Sequence, residues 1–128
     1  MVNKVVLIGN LGRDPELLHT QAGRVLARLW VATHEVWTKD GQRQRRTEWH
    51  RVVVWGARAE RIAAQFRKGT LVYVDGQIRS GKPTDDKPRP EVHVQRLIPL
   101  GSLAQREAAD SGVEVAGDQV GNGDEAPF

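Results

Sequence analysis

The chain has 128 residues and no cysteine, so it has room for one domain with an appendage and can build neither a disulfide framework nor a thiolate metal site. Its four histidines, His19, His34, His50 and His93, show no metal-type pair spacing, and no apolar run is long enough for a signal-peptide core or for the roughly 20 residues of a membrane span, which points to a soluble cytoplasmic protein without a cofactor. The formal charge of +3 is divided unevenly: residues 1–100 hold 18 Lys/Arg against 10 Asp/Glu, a net +8, and residues 101–128 hold Arg106 against six acids, a net −5. A basic body with an acidic tail suits a polyanionic partner, although a well-solvated surface would give the body the same charge.

A first strand is expected over residues 2–9, with Gly9-Asn10-Leu11-Gly12 ending or bending it. Val5, Val6, Leu7 and Ile8 are continuous within it, a pattern of burial on both faces, and in so small a chain the second cover comes from another subunit. A second strand, residues 24–35, alternates: Val25, Ala27, Leu29 and Val31 form an apolar face, and Arg24, Arg28 and Trp30 share the other with Leu26 and Ala32. Residues 38–46 contain Asp40-Gly41, four Lys/Arg and no apolar side chain, the composition of a flexible cationic hairpin loop, with Trp37 at its entrance.

The third strand, Thr47-Glu48-Trp49-His50-Arg51-Val52-Val53-Val54-Trp55-Gly56, is the most informative stretch. Alternation puts Trp49, Arg51, Val53 and Trp55 on one face and His50, Val52 and Val54 on the other. Flat rings beside fixed positive charge suit unpaired bases strung on phosphates. Tryptophan is also highly buried on average, so the strand alone leaves a binding face and a core face both open. The recurrence of tryptophan among arginines on the second strand favours the binding face. His50 belongs to the core or to a subunit contact, and Glu48 and Asp75 are local charge partners rather than metal ligands.

Beyond Gly56 the period changes. Ala59, Ile62, Ala63 and Phe66 fall on one face of a short helix, with Gly69 as its stop. A fourth strand at residues 70–79 buries Val72, Val74 and Ile78, a Pro-rich charged loop spans residues 80–90, and a fifth strand covers residues 91–100. Three strands, a helix and two strands is the order of an all-β, five-stranded OB-fold barrel. Residues 1–100 form this domain. From Gly101 the chain turns to Gly, Ala, Ser and acids, too few apolar groups to offset ordering entropy, so residues 101–128 are expected to form a disordered tail.

The blocks Val2-Asn3-Lys4-Val5, Gly9-Asn10-Leu11-Gly12, Asp14-Pro15-Glu16, Ala32-Thr33, Thr47 to Val53, Arg67-Lys68-Gly69 and Val72 to Arg79 occur together in order, and through them the chain resembles the bacterial-type single-stranded DNA-binding proteins. The resemblance implies a homotetramer of OB folds with no enzymatic activity, cytoplasmic and nucleoid-associated, that coats single-stranded DNA in replication, recombination and repair. It implies base stacking at Trp37, Trp49 and Trp55, the last at a position where the family has Phe. Basic residues of the DNA path would be Lys4, Arg51, Lys68, Arg79 and Lys82, with Arg28 added from its place beside Trp30. The ending Asp124-Glu125-Ala126-Pro127-Phe128 resembles the family's tip that docks on partner enzymes, with Ala126 in place of a bulky aliphatic. Pro83 stands where the family often has an aromatic, and Trp30 where it usually has a smaller residue, so one stacking platform is expected to have been exchanged for another. The alternatives are a primosomal or RNA-binding OB module and, from a different class, a metal-dependent nuclease, for which the sequence has no convergent carboxylates or histidines.

Overall fold

The structure, a computed structural model, describes residues 1–81 and 89–102. Six strands and one helix follow one another: β1 (Val5–Leu11), β2 (Glu16–His19), β3 (Val25–Lys39), β4 (Gln42–Trp55), α1 (Ala57–Gln65), β5 (Thr70–Ser80) and β6 (Pro90–Ser102). Within the described residues no helix is long and apolar enough to cross a membrane.

The strands close on themselves. β1 pairs with β5, β5 with β6, β6 with β4, β4 with β3, and β3 returns to β1 through Asn10–Ala32 and Leu11–Val31. All contacts are antiparallel except β4–β6, a short parallel pair at Val52–Val92 and Val53–His93. This is the expected five-stranded OB barrel. β2 was not anticipated. It lies against β3 from Glu16–Arg28 to His19–Val25 and widens the sheet without entering the ring.

The period-two pattern fills the interior. Ala27, Leu29 and Val31 of β3, Val52 and Val54 of β4, Val72 and Val74 of β5, and Val92 and Val94 of β6 are buried together. The helix contributes Ala59 and Ile62, and Phe66 beyond its end joins the same cluster. Gly69 is not the helix stop: the chain already turns extended at Phe66, whose N–H reaches the Ile62 carbonyl at 2.9 Å. Ile78, expected in the core, is 48% exposed instead, beyond the barrel's closed section where its backbone is clasped by the Asn3 amide.

Two further expectations change. Residues 38–46 are not a loop. β3 and β4 pair without interruption to Lys39–Gln42, and only Asp40 and Gly41 turn, with φ of 51° and 75°. Two positive φ values mark a type I′ turn, whose twist matches that of the strands it joins. In the Val5–Ile8 run of β1, Val5 and Leu7 pack against the core, as Leu11 does further on, while Val6 and Ile8 are 52% and 42% exposed on the outer face.

Candidate nucleic-acid interface

The β3–β4 register decides which side chains meet. Trp30 faces Arg51, Ala32 faces Trp49, Arg28 faces Val53 and Leu26 faces Trp55. Directly opposed residues share a face, so Trp30, Trp49, Trp55, Arg28 and Arg51 all lie on the outer side of the barrel. Val53 shares this face yet is buried beneath its neighbours.

Each tryptophan has a different setting. Trp49 is 57% exposed, and its ring rests on the Gly12 backbone: a Cβ at Gly12 would lie 2.2 Å from Cζ3. Trp30 has the guanidinium of Arg13 at 5.1 Å from its ring centroid and that of Arg51 at 5.3 Å. Trp55 has Arg24 at 4.2 Å. Its indole Nε1–H donates to His93 Nδ1 at 3.1 Å, and the two rings stack at 6.3 Å with 28° between their planes. Such guanidinium–ring contacts fix the rings and keep positive charge beside them.

The cations are not equivalent. Arg51 pairs with Glu91 at 3.2 Å, and the side chains are only 10% and 13% exposed. Arg28 pairs with Glu16 at a longer 3.7 Å. Arg79 sits opposite Glu91 in the β5–β6 register. The Lys68 backbone N–H donates to Asp14 Oδ1 at 2.8 Å, tying that exposed lysine to the loop that carries Gly12 and Arg13. Lys4 is exposed just before β1. The Nε groups of Arg28 and Arg51 and Nε1 of Trp30 are buried with no protein acceptor.

Trp37 stands apart from this cluster. The register has no bulge from Leu26–Trp55 to Lys39–Gln42, so Trp37, paired with Gln44, lies on the opposite face of the ribbon from Trp49. It is 42% exposed toward the hairpin end. Arg43 and Arg45 continue the Trp49 face. His50 turns away from that face, as expected. Its Nε2 is 2.9 Å from Thr33 Oγ1, and burial lowers its pKa, with Glu48 opposing the shift. Lys82, Pro83 and residues 124–128, the expected docking tip, lie outside the described residues.

A model of the single-strand binding protein family matches residues 2–99. The chain belongs to this family. Among solved structures it is similar to a Plasmodium falciparum SSB in complex with ssDNA, with 30% identity, a TM-score of 0.67, and coverage of 78% of this chain and 96% of that one. It is also similar to a deletion mutant of the single-stranded DNA binding protein from Thermus aquaticus, with 29% identity and a TM-score of 0.66 over 77% of this chain and 50% of that one.

For this family member, four residues of the interface were not singled out from sequence: Gly12, Arg13, Glu91 and His93. Glu91 and His93 are two apart on β6, the spacing of one strand face, but that face comes beside Trp55 only through the parallel β4–β6 pair. Arg13 and Gly12 reach Trp30 and Trp49 from the β1–β2 loop. Its anchors include Gly12 N–H to Trp30 O at 2.9 Å and Lys68 N–H to Asp14 Oδ1, contacts between positions far apart in sequence.

Proposed function

We propose that this chain binds single-stranded DNA without regard to base sequence, acting as a coat and not as an enzyme. The observation that carries the reading is the half-exposed Trp49 sharing one face with the arginine-lined Trp30 and Trp55. Family membership supports it, as does likeness to a relative described in complex with ssDNA. Stacking on exposed rings contributes roughly 1–3 kcal/mol per base and is indifferent to base identity. Trp49 and Trp55 act as platforms on the outer face and Trp37 as a separate platform on the ribbon's other face, with Trp30 held among arginines between them. Lys4, Arg28, Lys68, Arg79 and Lys82 neutralise phosphates. Arg51 adds positive charge at the centre. A duplex hides its base faces, so the same surface discriminates against it.

Two further parts complete the proposal. The chain assembles as a homotetramer, a reading supported by the uncovered apolar side chains of β1 and β6. The tip Asp124-Glu125-Ala126-Pro127-Phe128 recruits replication, recombination and repair enzymes, which supports a cytoplasmic, nucleoid-associated role. The body's +8 charge supports the DNA reading, and the tail's −5 suits basic pockets on a partner.

The decisive experiment is a titration of intrinsic tryptophan fluorescence with oligo-dT at two salt concentrations. Quenching is expected, with affinity falling as salt rises at a slope of about −0.7 per phosphate contact. Trp49→Ala should weaken binding by roughly 5- to 150-fold, the equivalent of one stacked base. Absence of quenching by oligo-dT would overturn the reading, and equal or tighter binding of oligo-rU would redirect it to RNA.

A further inference from the structure

Glu91 is an acid at the centre of a surface read as polyanion-binding, where bulk electrostatics would disfavour it. Its geometry supplies a reason. Oε2 accepts from Arg51 Nη1 at 3.2 Å, and Oε1 is 3.3 Å from His93 Nε2. An indole N–H can only donate, so His93 Nδ1, 3.1 Å from Trp55 Nε1, must be the acceptor of that bond. The proton of the neutral imidazole therefore sits on Nε2, pointing at Glu91. Both oxygens of one nearly buried carboxylate are thus in use. One fixes the tautomer and orientation of the histidine that holds Trp55. The other fixes the arginine that lies against Trp30 at 5.3 Å. Arg24, 4.2 Å from the Trp55 ring centroid, completes the setting of that ring.

We infer that Glu91 and His93 are positioning residues for the DNA-binding face, locking Trp55 in a stacking-ready orientation through its indole N–H. The inference rests on the single-stranded DNA reading above. An aromatic side chain held before binding loses less rotamer freedom when a base stacks on it, so the preorganisation appears as affinity. The sign of the effect separates this from simple charge. Removing an acid that merely faces a polyanion tightens binding. Removing one that holds a platform weakens it.

The test measures oligo-dT affinity and Trp quenching for the full chain and for Glu91→Gln, His93→Leu and Trp55→Phe, singly and in pairs with Trp55→Phe. Glu91→Gln and His93→Leu should each weaken binding roughly 3- to 10-fold, the worth of one oriented hydrogen bond. Phenylalanine keeps a ring and has no N–H to orient, so in the Trp55→Phe background the His93→Leu effect should shrink toward one-fold and the Glu91→Gln effect should shrink to the part that acts through Arg51. Thermal unfolding identifies any variant that fails to fold. If the loss of Arg51's partner unfolds Glu91→Gln, the His93→Leu cycle alone decides. Equal losses in both backgrounds, or tighter binding by Glu91→Gln, would overturn the inference. If the unsubstituted chain fails to quench, the DNA reading itself has failed, a different result from binding that lacks the coupling.

Discussion

The outer face depends on one position without a side chain. Trp49 is the most exposed of the four tryptophans, and its ring lies where a Cβ on Gly12 would be, 2.2 Å from Cζ3 and 2.5 Å from Cη2. Carbon atoms do not approach so closely, so Gly12→Ala must displace the ring. The ring is exposed on its other side and can swing outward, so the barrel should tolerate the change. Gly12→Ala is expected to lower oligo-dT affinity roughly 3- to 10-fold, part of the worth of one stacked base, with little change in melting temperature. A fluorescence titration beside a thermal melt checks both halves. Unchanged affinity would mean that Trp49 binds equally well without its seat. The role of Gly12 is invisible in the sequence, because Gly9-Asn10-Leu11-Gly12 reads there only as the end of a strand. By contrast, Trp49 and Trp55 were legible as one face, since strand alternation needs no knowledge of the fold.

At the scale of elements, the ribbon formed by β3 and β4 shows where pattern reading succeeds and stops. The apolar alternation at Ala27, Leu29 and Val31 marks β3 because one face is buried. Past Thr33 neither face enters the core, and the alternation that signals a strand disappears although the pairing continues to Lys39–Gln42. Main-chain hydrogen bonds and the Asp40-Gly41 turn carry the ribbon there instead. β2 escaped notice for a related reason, since four residues hold too little periodicity to register. The barrel-closing β4–β6 pair involves two strands separated by a helix and β5, and no local signal encodes it. The ribbon's dependence on its turn is measurable. Gly41 has φ of 75°, and an alanine there pays about 1 kcal/mol for that conformation. Gly41→Ala should make the amides of the ribbon's end, from Thr38 to Arg43, exchange roughly fivefold faster, because they open locally. Amides of Val52, Val53 and Val54, inside the barrel, should keep their rates. Uniform acceleration would show that the ribbon unfolds only with the whole domain.

Over the whole molecule, the proposed binding face, centred on β3 and β4, is separate from an exposed apolar face on β1, β5 and β6. Val6 faces Asp75 and Ile8 faces Tyr73 across β1–β5, and across β5–β6 Tyr73 faces Ile98 and Asp75 faces Arg96. These residues share the outer face of three neighbouring strands. Val6, Ile8, Ile98 and Leu100 are exposed by 52%, 42%, 38% and 48%, an apolar surface around the buried Asp75, which Tyr73 and Arg96 satisfy at 3.1 and 3.3 Å. Among the described residues β1 also pairs on one edge only through Val5–Gly9, since β3 meets it first at Asn10. An open edge and an uncovered face are two distinct surfaces, and each can be satisfied by a second copy about its own two-fold axis. Two such isologous contacts generate a tetramer of D2 symmetry, the state proposed above. Covering the face removes apolar area worth about 25 cal/mol per Å² from water, and a carboxylate placed in it would be desolvated beside an Arg96 already paired with Asp75. Ile98→Glu should therefore break the face contact and leave the edge contact intact, giving dimers that still quench with oligo-dT. Sedimentation equilibrium distinguishes the outcomes: four chain masses for the unsubstituted protein and two for Ile98→Glu support the arrangement, whereas a monomeric unsubstituted chain, or a variant that remains tetrameric, would refute it.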